Sequence, residues 1–77
     1  MATADRVGAE AAERILTAMH AAHVLQQDLA DQSGIPRETL SRKLKRSPDT
    51  LTIRDIARIA DALGLTFEEL AFGTVAA

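Results

Sequence analysis

The chain contains no cysteine, no tryptophan and no tyrosine, and only two of its 77 residues are phenylalanine. The absence of cysteine excludes disulfide bonds and thiolate zinc sites as sources of stability. Stability must therefore come from packed side chains, and these should be mainly aliphatic because aromatic residues make up 3% of the chain. A domain of this size buries roughly 60% of the surface of its unfolded chain, so we expect marginal stability.

Long hydrophobic runs are missing as well. No stretch approaches the roughly 18 apolar residues that a membrane-spanning helix needs. The first ten residues carry charges and lack a long apolar run, so we expect no secretory signal. The length is that of one domain, and we predict a single soluble, intracellular domain over residues 1–77 with no membrane partner.

The positive charge is distributed unevenly. Residues 36–46 carry five positive charges and one negative charge, a local charge of +4, within a chain of formal charge −2. The remaining residues carry four positive and ten negative charges, a net −6. This asymmetry indicates a basic patch on an acidic body. The alternative is a solvated helix face on which the charges cluster by chance.

Glycine and proline divide the chain into five predicted helices, and no strand-like alternation or internal repeat interrupts them. The helices are expected over about 5–22, 26–33, 36–46, 53–63 and 67–72, followed by a frayed tail at 74–77. The inward-facing residues predicted from helical spacing are Ala12, Ile15, Leu16, Met19, Ala22 or His23, Leu29, Ala30, Leu40, Leu44, Ile53, Ile56, Ala57, Ile59, Ala60, Leu63, Phe67, Leu70 and Phe72. The fold class is therefore all-α.

Turn and capping residues support these boundaries. Gly34 follows the second helix, where it can adopt the left-handed conformation that closes a last turn. Pro36 suits the first position of the third helix. The segments 52–55 and 66–69 both begin with threonine and end with an acidic residue, and each predicts a capping box.

The third helix is amphipathic. At about 100° per residue, Leu40 and Leu44 lie within about 40° of each other and face the core. The polar side chains fill the opposite side, and Lys43 lies on the flank. Such a helix suits the major groove of B-form DNA, where each base pair presents a distinct pattern of donors and acceptors. A preceding helix, a glycine turn and this helix form a helix-turn-helix over about 26–46.

The chain resembles the Cro/C1-type, lambda-repressor-like, helix-turn-helix domains over about residues 24–72. The resemblance is carried by QQDLA at 26–30, SGI at 33–35, TLSR at 39–42, IARIADALGL at 56–65 and TFEEL at 66–70. It implies a compact bundle of five helices. Two positions differ from the family pattern: Leu25 stands where serine or threonine usually precedes the second helix, and Lys43 where an apolar residue is common.

The resemblance also implies roles for polar residues of the motif: the base-reading positions are Arg37, Glu38, Ser41 and Arg42, and the positions near phosphate are Gln26, Lys45 and Arg46. We further predict phosphate contacts for Gln27 and Lys43, from their place beside these residues. The arginines suit bidentate contact with guanine, and Glu38 either accepts from a cytosine amino group or pairs with Arg42 four residues later. The alternative for each residue is an ordinary exposed side chain.

The expected function is sequence-specific binding of double-stranded DNA by a bacterial or phage transcription regulator, a repressor that occupies its operator. The resemblance places it in the bacterial cytoplasm, associated with the nucleoid. One recognition helix reads only a few base pairs, so we expect a homodimer or a longer DNA-binding chain.

Other functions have weaker support in the sequence. No nucleophile motif or glycine-rich phosphate loop is present, so we expect neither an enzyme nor a cofactor. His20 and His23 could share a helix face, but a metal would need a third ligand. The main alternative is a protein-interaction module, such as an antitoxin-type helix-turn-helix domain. Its binding should depend less steeply on salt than binding to DNA.

Overall fold

The computed structural model describes the backbone of residues 3–73 and the side chains of residues 7–73, so the predicted frayed tail at 74–77 lies outside the described residues. The described chain forms five α-helices, a short 3₁₀ turn and no strand, which confirms the predicted all-α fold. The elements are α1 (Thr3–Ala22), α2 (Gln26–Ser33), α3 (Arg37–Lys45), the 3₁₀ turn (Pro48–Thr50), α4 (Ile53–Leu63) and α5 (Phe67–Phe72).

The core is aliphatic, as the composition predicts. Its largest members, fully buried, come one each from the five helices and pack in one cluster. They are Ile15, Leu29, Leu40, Ile59 and Leu70. Phe67 packs at the edge of this cluster and is only partly buried. Because α1 contacts α3, α4, α5 and the 3₁₀ turn, it is the helix on which the bundle is assembled.

A glycine inside α1 allows a close approach of two backbones. Gly8 is buried against the 3₁₀ turn, and a Cβ atom at this position would overlap the carbonyl oxygen of Pro48. Glycine in a helix interior is destabilising by roughly 0.5–1 kcal/mol relative to alanine. At Gly8 this loss of helix stability is the cost of packing the 3₁₀ turn closely on α1. The helix runs through Gly8 and begins two residues before the predicted start.

Arg14 joins α1 to the end of α5. Its Nη1 donates hydrogen bonds to the carbonyl oxygens of Leu70 and Ala71, at 3.1 and 3.0 Å. The last carbonyls of a helix have no partner within the helix, so the guanidinium supplies one. The α5 helix has only six residues, and this contact helps to hold it in place.

Five of the residues named as facing the core lie outside it, counting both members of the alternative Ala22 or His23. Ile53 is 75% exposed at the start of α4, and Phe72 is 60% exposed at the end of α5. Ala57 is exposed because α4 packs through the side that carries Ile56, Ile59 and Ala60. The predicted continuation of the α1 stripe is also wrong, since Ala22 and His23 are both exposed at the end of the helix.

The predicted caps are confirmed at α4 and partly at α5. At α4, Thr52 Oγ1 accepts from the Asp55 amide and Asp55 Oδ2 accepts from the Thr52 amide, each at 3.0 Å. At α5, Thr66 Oγ1 accepts from the Glu69 amide at 3.1 Å, and the described hydrogen bonds do not include the return bond. Pro36 is the N-cap of α3 rather than its first helical residue.

Candidate nucleic-acid interface

The turn between α2 and α3 is fixed by a serine and a glycine. Gly34 has φ of +78°, in the left-handed region, and its amide donates to the Ala30 carbonyl at 3.0 Å. The preceding Ser33 is buried, and its Oγ accepts from the Ile35 amide at 3.3 Å while donating to the Ala30 carbonyl. These bonds set the direction in which α3 leaves α2, and Ile35 is buried directly after the turn.

One side of α3 holds the helix on the bundle. Leu40 is fully buried and Leu44 is 3% exposed, and both lie in the core cluster. Through this side α3 packs against α1, α2 and the 3₁₀ turn. The amphipathic arrangement predicted from the sequence is therefore confirmed.

The opposite side of α3 faces outward and carries most of the predicted DNA-contacting residues. Together with one residue of α2 they line a single open depression, which we call the basic face. Its residues are Gln26, Arg37, Glu38, Ser41, Arg42, Lys45 and Arg46. Four cations and one carboxylate thus share this surface. All five charged side chains are exposed, whereas Gln26 and Ser41 are half-buried.

Two further predicted residues can be placed relative to this surface. Gln27 is exposed and lines a neighbouring depression that it shares with Pro36 and Arg37. Glu38 lies on the basic face, and the ion pairs found among residues 7–73 do not include the one considered between Glu38 and Arg42. The Glu38 carboxylate therefore remains open on the same surface as the arginines.

Lys43, for which the sequence predicts a phosphate contact, lies apart from the other cations of α3. Its ammonium group forms a 2.6 Å ion pair with Asp55 Oδ2 on α4, and it does not line the basic face. The two side chains are only 17% and 13% exposed. The sequence predicts only a capping role for Asp55. A charge at a usually apolar position of the motif was the signal that Lys43 needs a buried partner.

The Asp55 carboxylate is held by several donors. Burial by itself raises the pKa of this carboxyl group, but hydrogen bonds from Lys43 and Thr52 and the charge of Lys43 outweigh burial. The net result is a pKa below its ordinary value. Asp55 thus stays ionised at neutral pH. Its Oδ2 atom accepts hydrogen bonds both from the Lys43 ammonium group on α3 and from the Thr52 amide at the start of α4.

The start of α2 has no side-chain cap. Leu25 occupies the N-cap position, is 69% exposed and forms no capping hydrogen bond. The amides of a first helical turn have no partner within the helix, and the helix dipole adds a partial positive charge there. Such amides can donate to a phosphate group.

The remaining candidate groups do not assemble into a site. His20 and His23 are exposed, and His23 has left the helix with φ of +57°. Within the described residues, no three histidine or acidic side chains come together in a way that could hold a metal ion. In the same part of the chain, no helix combines the length and the apolar character needed to cross a membrane.

Comparison with protein families gives one match. The model of the Cro/C1-type helix-turn-helix DNA-binding domain matches residues 14–71, which include α2 to α4, nearly all of α5 and the second half of α1. Comparisons with curated proteins and with solved structures give no significant match.

Proposed function

Because the chain belongs to the Cro/C1-type helix-turn-helix DNA-binding family, we propose that it is a sequence-specific repressor that acts by occupying an operator. Membership of the family indicates DNA binding and a role in transcription regulation. The proposal adds the site, the mode of binding and the regulatory outcome. It treats residues 1–77 as one DNA-binding domain of a bacterial or phage regulator, with no reaction catalysed.

The basic face is the observation that supports this proposal. In our proposal α3 enters the major groove, where Arg37 and Arg42 each contact a guanine through O6 and N7. The two residues are offset by about 7.5 Å along the helix axis, so they address different base pairs. Ser41 lies between them, and Glu38 is available to accept a hydrogen bond from a cytosine amino group.

The edges of the same surface suit the DNA backbone. Lys45 and Arg46 are exposed at the last turn of α3, and Gln26 and Gln27 stand at the first turn of α2. We assign these four residues to phosphate contacts, together with the uncapped amides of α2. Such contacts position the protein on the duplex without reading its sequence, and they make binding depend on salt.

The proposed assembly is a homodimer. One α3 helix reads too few base pairs to select an operator from on the order of 10⁶ competing sites, so two copies on a two-fold site are needed. The exposed Ile53 and Phe72 border an apolar depression formed by α4, α5 and the start of α1, which a second copy could cover. Sedimentation equilibrium should show a dimer that Phe72→Ser weakens. A wild-type monomer both free and on DNA would refute this part of the proposal.

The proposal is tested by selecting binding sites from random duplexes at near-physiological salt. The wild-type chain should enrich one motif with two-fold symmetry. The double variant Arg37→Ala/Arg42→Ala should enrich none. A matched control is Arg54→Ala/Arg58→Ala, which removes two exposed arginines from α4 and should enrich the wild-type motif.

Either of two results would refute the proposal. The first is a wild-type chain that enriches no sequence at all, and the second is a double variant on α3 that enriches the same motif as the wild type. The alternative function, an antitoxin-type interaction module that binds a protein through the apolar depression at Ile53 and Phe72, predicts the first result. It also predicts partner binding that varies little with salt, because few charges would be neutralised.

A further inference from the structure

Arg42 and Lys43 are adjacent cations on α3 with different surroundings. The Arg42 side chain is exposed on the basic face, whereas Lys43 is 17% exposed and its ammonium group lies 2.6 Å from Asp55 Oδ2. The same oxygen accepts from the Thr52 amide at 3.0 Å. Asp55, in the first turn of α4, therefore connects α3 to the loop before α4.

We propose that Lys43 and Asp55 are positioning residues for DNA binding, and that their ion pair fixes the rotation of α3 about its own axis. Lys43 then makes no phosphate contact, unlike Lys45 two residues later. This inference rests on the proposed function, because it concerns how the basic face is presented to DNA.

The other contacts of α3 constrain this rotation less well. Leu40 and Leu44 hold the helix at its depth in the core, but apolar attraction has little directional preference. The ion pair is a directional, charge-assisted hydrogen bond, and it lies on the flank of the helix. It also links α3 to α4, whereas the closest backbone neighbours of α3 are α1, α2 and the 3₁₀ turn.

A small rotation would be enough to impair recognition. A point on the surface of a helix lies about 6 Å from its axis, so a rotation of about 10° moves that point by about 1 Å. Binding groups need to be held to within about 0.5 Å of their working geometry. Loss of the pair should therefore weaken bidentate base contacts more than the tolerant contacts with phosphate.

The test compares Lys43→Met with Lys45→Met, because methionine retains most of the apolar stem and removes one charge in each case. Affinities are measured over a range of salt concentrations on two duplexes, the selected motif and a scrambled sequence of the same composition. Lys43→Met should weaken binding to the motif about tenfold, with little change on the scrambled duplex and an unchanged salt slope. Lys45→Met should weaken both and reduce the salt slope by about 0.9.

Asp55→Asn tests the same inference from the other side. Removing a negative charge near a DNA-binding helix should tighten binding if only the net charge matters. A positioning role predicts weaker binding to the selected motif instead. The double variant Lys43→Met/Asp55→Asn should lose no more affinity for the selected motif than the weaker-binding single variant, since each single substitution already removes the ion pair.

The outcomes separate this inference from the proposed function. A wild-type chain that binds neither duplex refutes both. If the wild type binds, a reduced salt slope for Lys43→Met or tighter binding by Asp55→Asn overturns the inference alone. Circular dichroism establishes that each variant is folded.

Should the variants fail to fold, the wild-type chain decides the question by NMR of the lysine ammonium groups. Adding the selected duplex should shift the Nζ signal of Lys45 and leave that of Lys43 in place. A shift of the Lys43 signal as large as that of Lys45 would overturn the inference.

Discussion

The outer and inner sides of α3 differ in what their side chains contact. On the outer side, the charged residues of the basic face are exposed, and the ion pairs found among residues 7–73 include none of them. On the inner side and flank, Leu40 and Leu44 are buried and Lys43 is paired with Asp55. Nine residues of one helix therefore contain two groups that should respond to mutation in different ways.

This difference separates stability from binding. Changes on the inner side should alter the free energy of unfolding and affect DNA binding only through the amount or the orientation of folded α3. Changes on the outer side should alter DNA binding and leave the free energy of unfolding nearly unchanged. A variant that violates this division would show that the two sides are coupled.

The largest expected effect is on the inner side. Leu40→Ala removes a fully buried side chain and leaves a cavity between α3 and its neighbours. We expect the free energy of unfolding to fall by about 2–5 kcal/mol, which is a large part of the stability of a small domain. Chemical denaturation followed by circular dichroism measures the change.

The matched comparison is Lys45→Ala on the outer side of the same helix. Its side chain is exposed, so the free energy of unfolding should change by no more than about 0.5 kcal/mol. Equal losses in the two variants would contradict the assignment of the two sides.

The next largest effect is on binding. Arg37→Ala should weaken binding to the selected motif by about 1–3 kcal/mol and relax the preference at one base pair. Lys45→Ala should weaken binding to all duplexes by similar factors, because a phosphate contact carries no sequence information. Competition titrations against a panel of single-base variants distinguish these patterns. An Arg37→Ala chain that retains full affinity for its best site would remove this residue from the base-reading group.

Much of the fold follows from local sequence signals. Glycine turns, the threonine cap of α4 and apolar spacing place all five helices to within about two residues at each end. Gly8 shows where such signals fail. A glycine near the start of α1 is compatible with several positions for the start of the helix. The structure shows instead that Gly8 leaves room for the backbone of Pro48, forty positions away in the chain. Contacts of this range have no periodic signature.

The candidate site shows the same limit at the level of single side chains. Helical geometry separates the leucines from the outward-facing cations, and the structure places most of the predicted residues on one surface. Helical geometry leaves Lys43 on the flank between the two sides, and the sequence predicts a phosphate contact there rather than an ion pair with α4. The partner of Lys43 is twelve residues away, and Asp55 already had an explanation as a capping residue.

A smaller effect is expected at the cap that holds Asp55. Thr52→Ala removes the hydroxyl that accepts from the Asp55 amide, and loss of such a cap costs about 0.5–2 kcal/mol of stability. Thr52→Ser retains the hydroxyl and should lose less stability than Thr52→Ala. Thermal unfolding of the two variants beside the wild type measures both effects. If alanine and serine are equally destabilising, the loss comes from the missing methyl group rather than from the cap.

The smallest expected effect is the acid sensitivity of the inner flank. The pKa of Asp55 lies below its unfolded value of about 3.9, because the hydrogen bonds from Lys43 and Thr52 outweigh the effect of burial. A depressed carboxyl pKa stabilises the fold fully above the unfolded pKa, and this stabilisation is lost as the pH falls through the folded value.

The melting temperature of the wild type should therefore fall between pH 5 and pH 3 by more than that of Asp55→Asn, which has no carboxyl group to protonate. The melting temperature of Lys43→Met should also fall less on acidification than that of the wild type, because one of the donors that lower the pKa of Asp55 is gone. Thermal unfolding at pH 7, 5, 4 and 3 tests the prediction, and it fails if Asp55→Asn shows the whole acid dependence of the wild type.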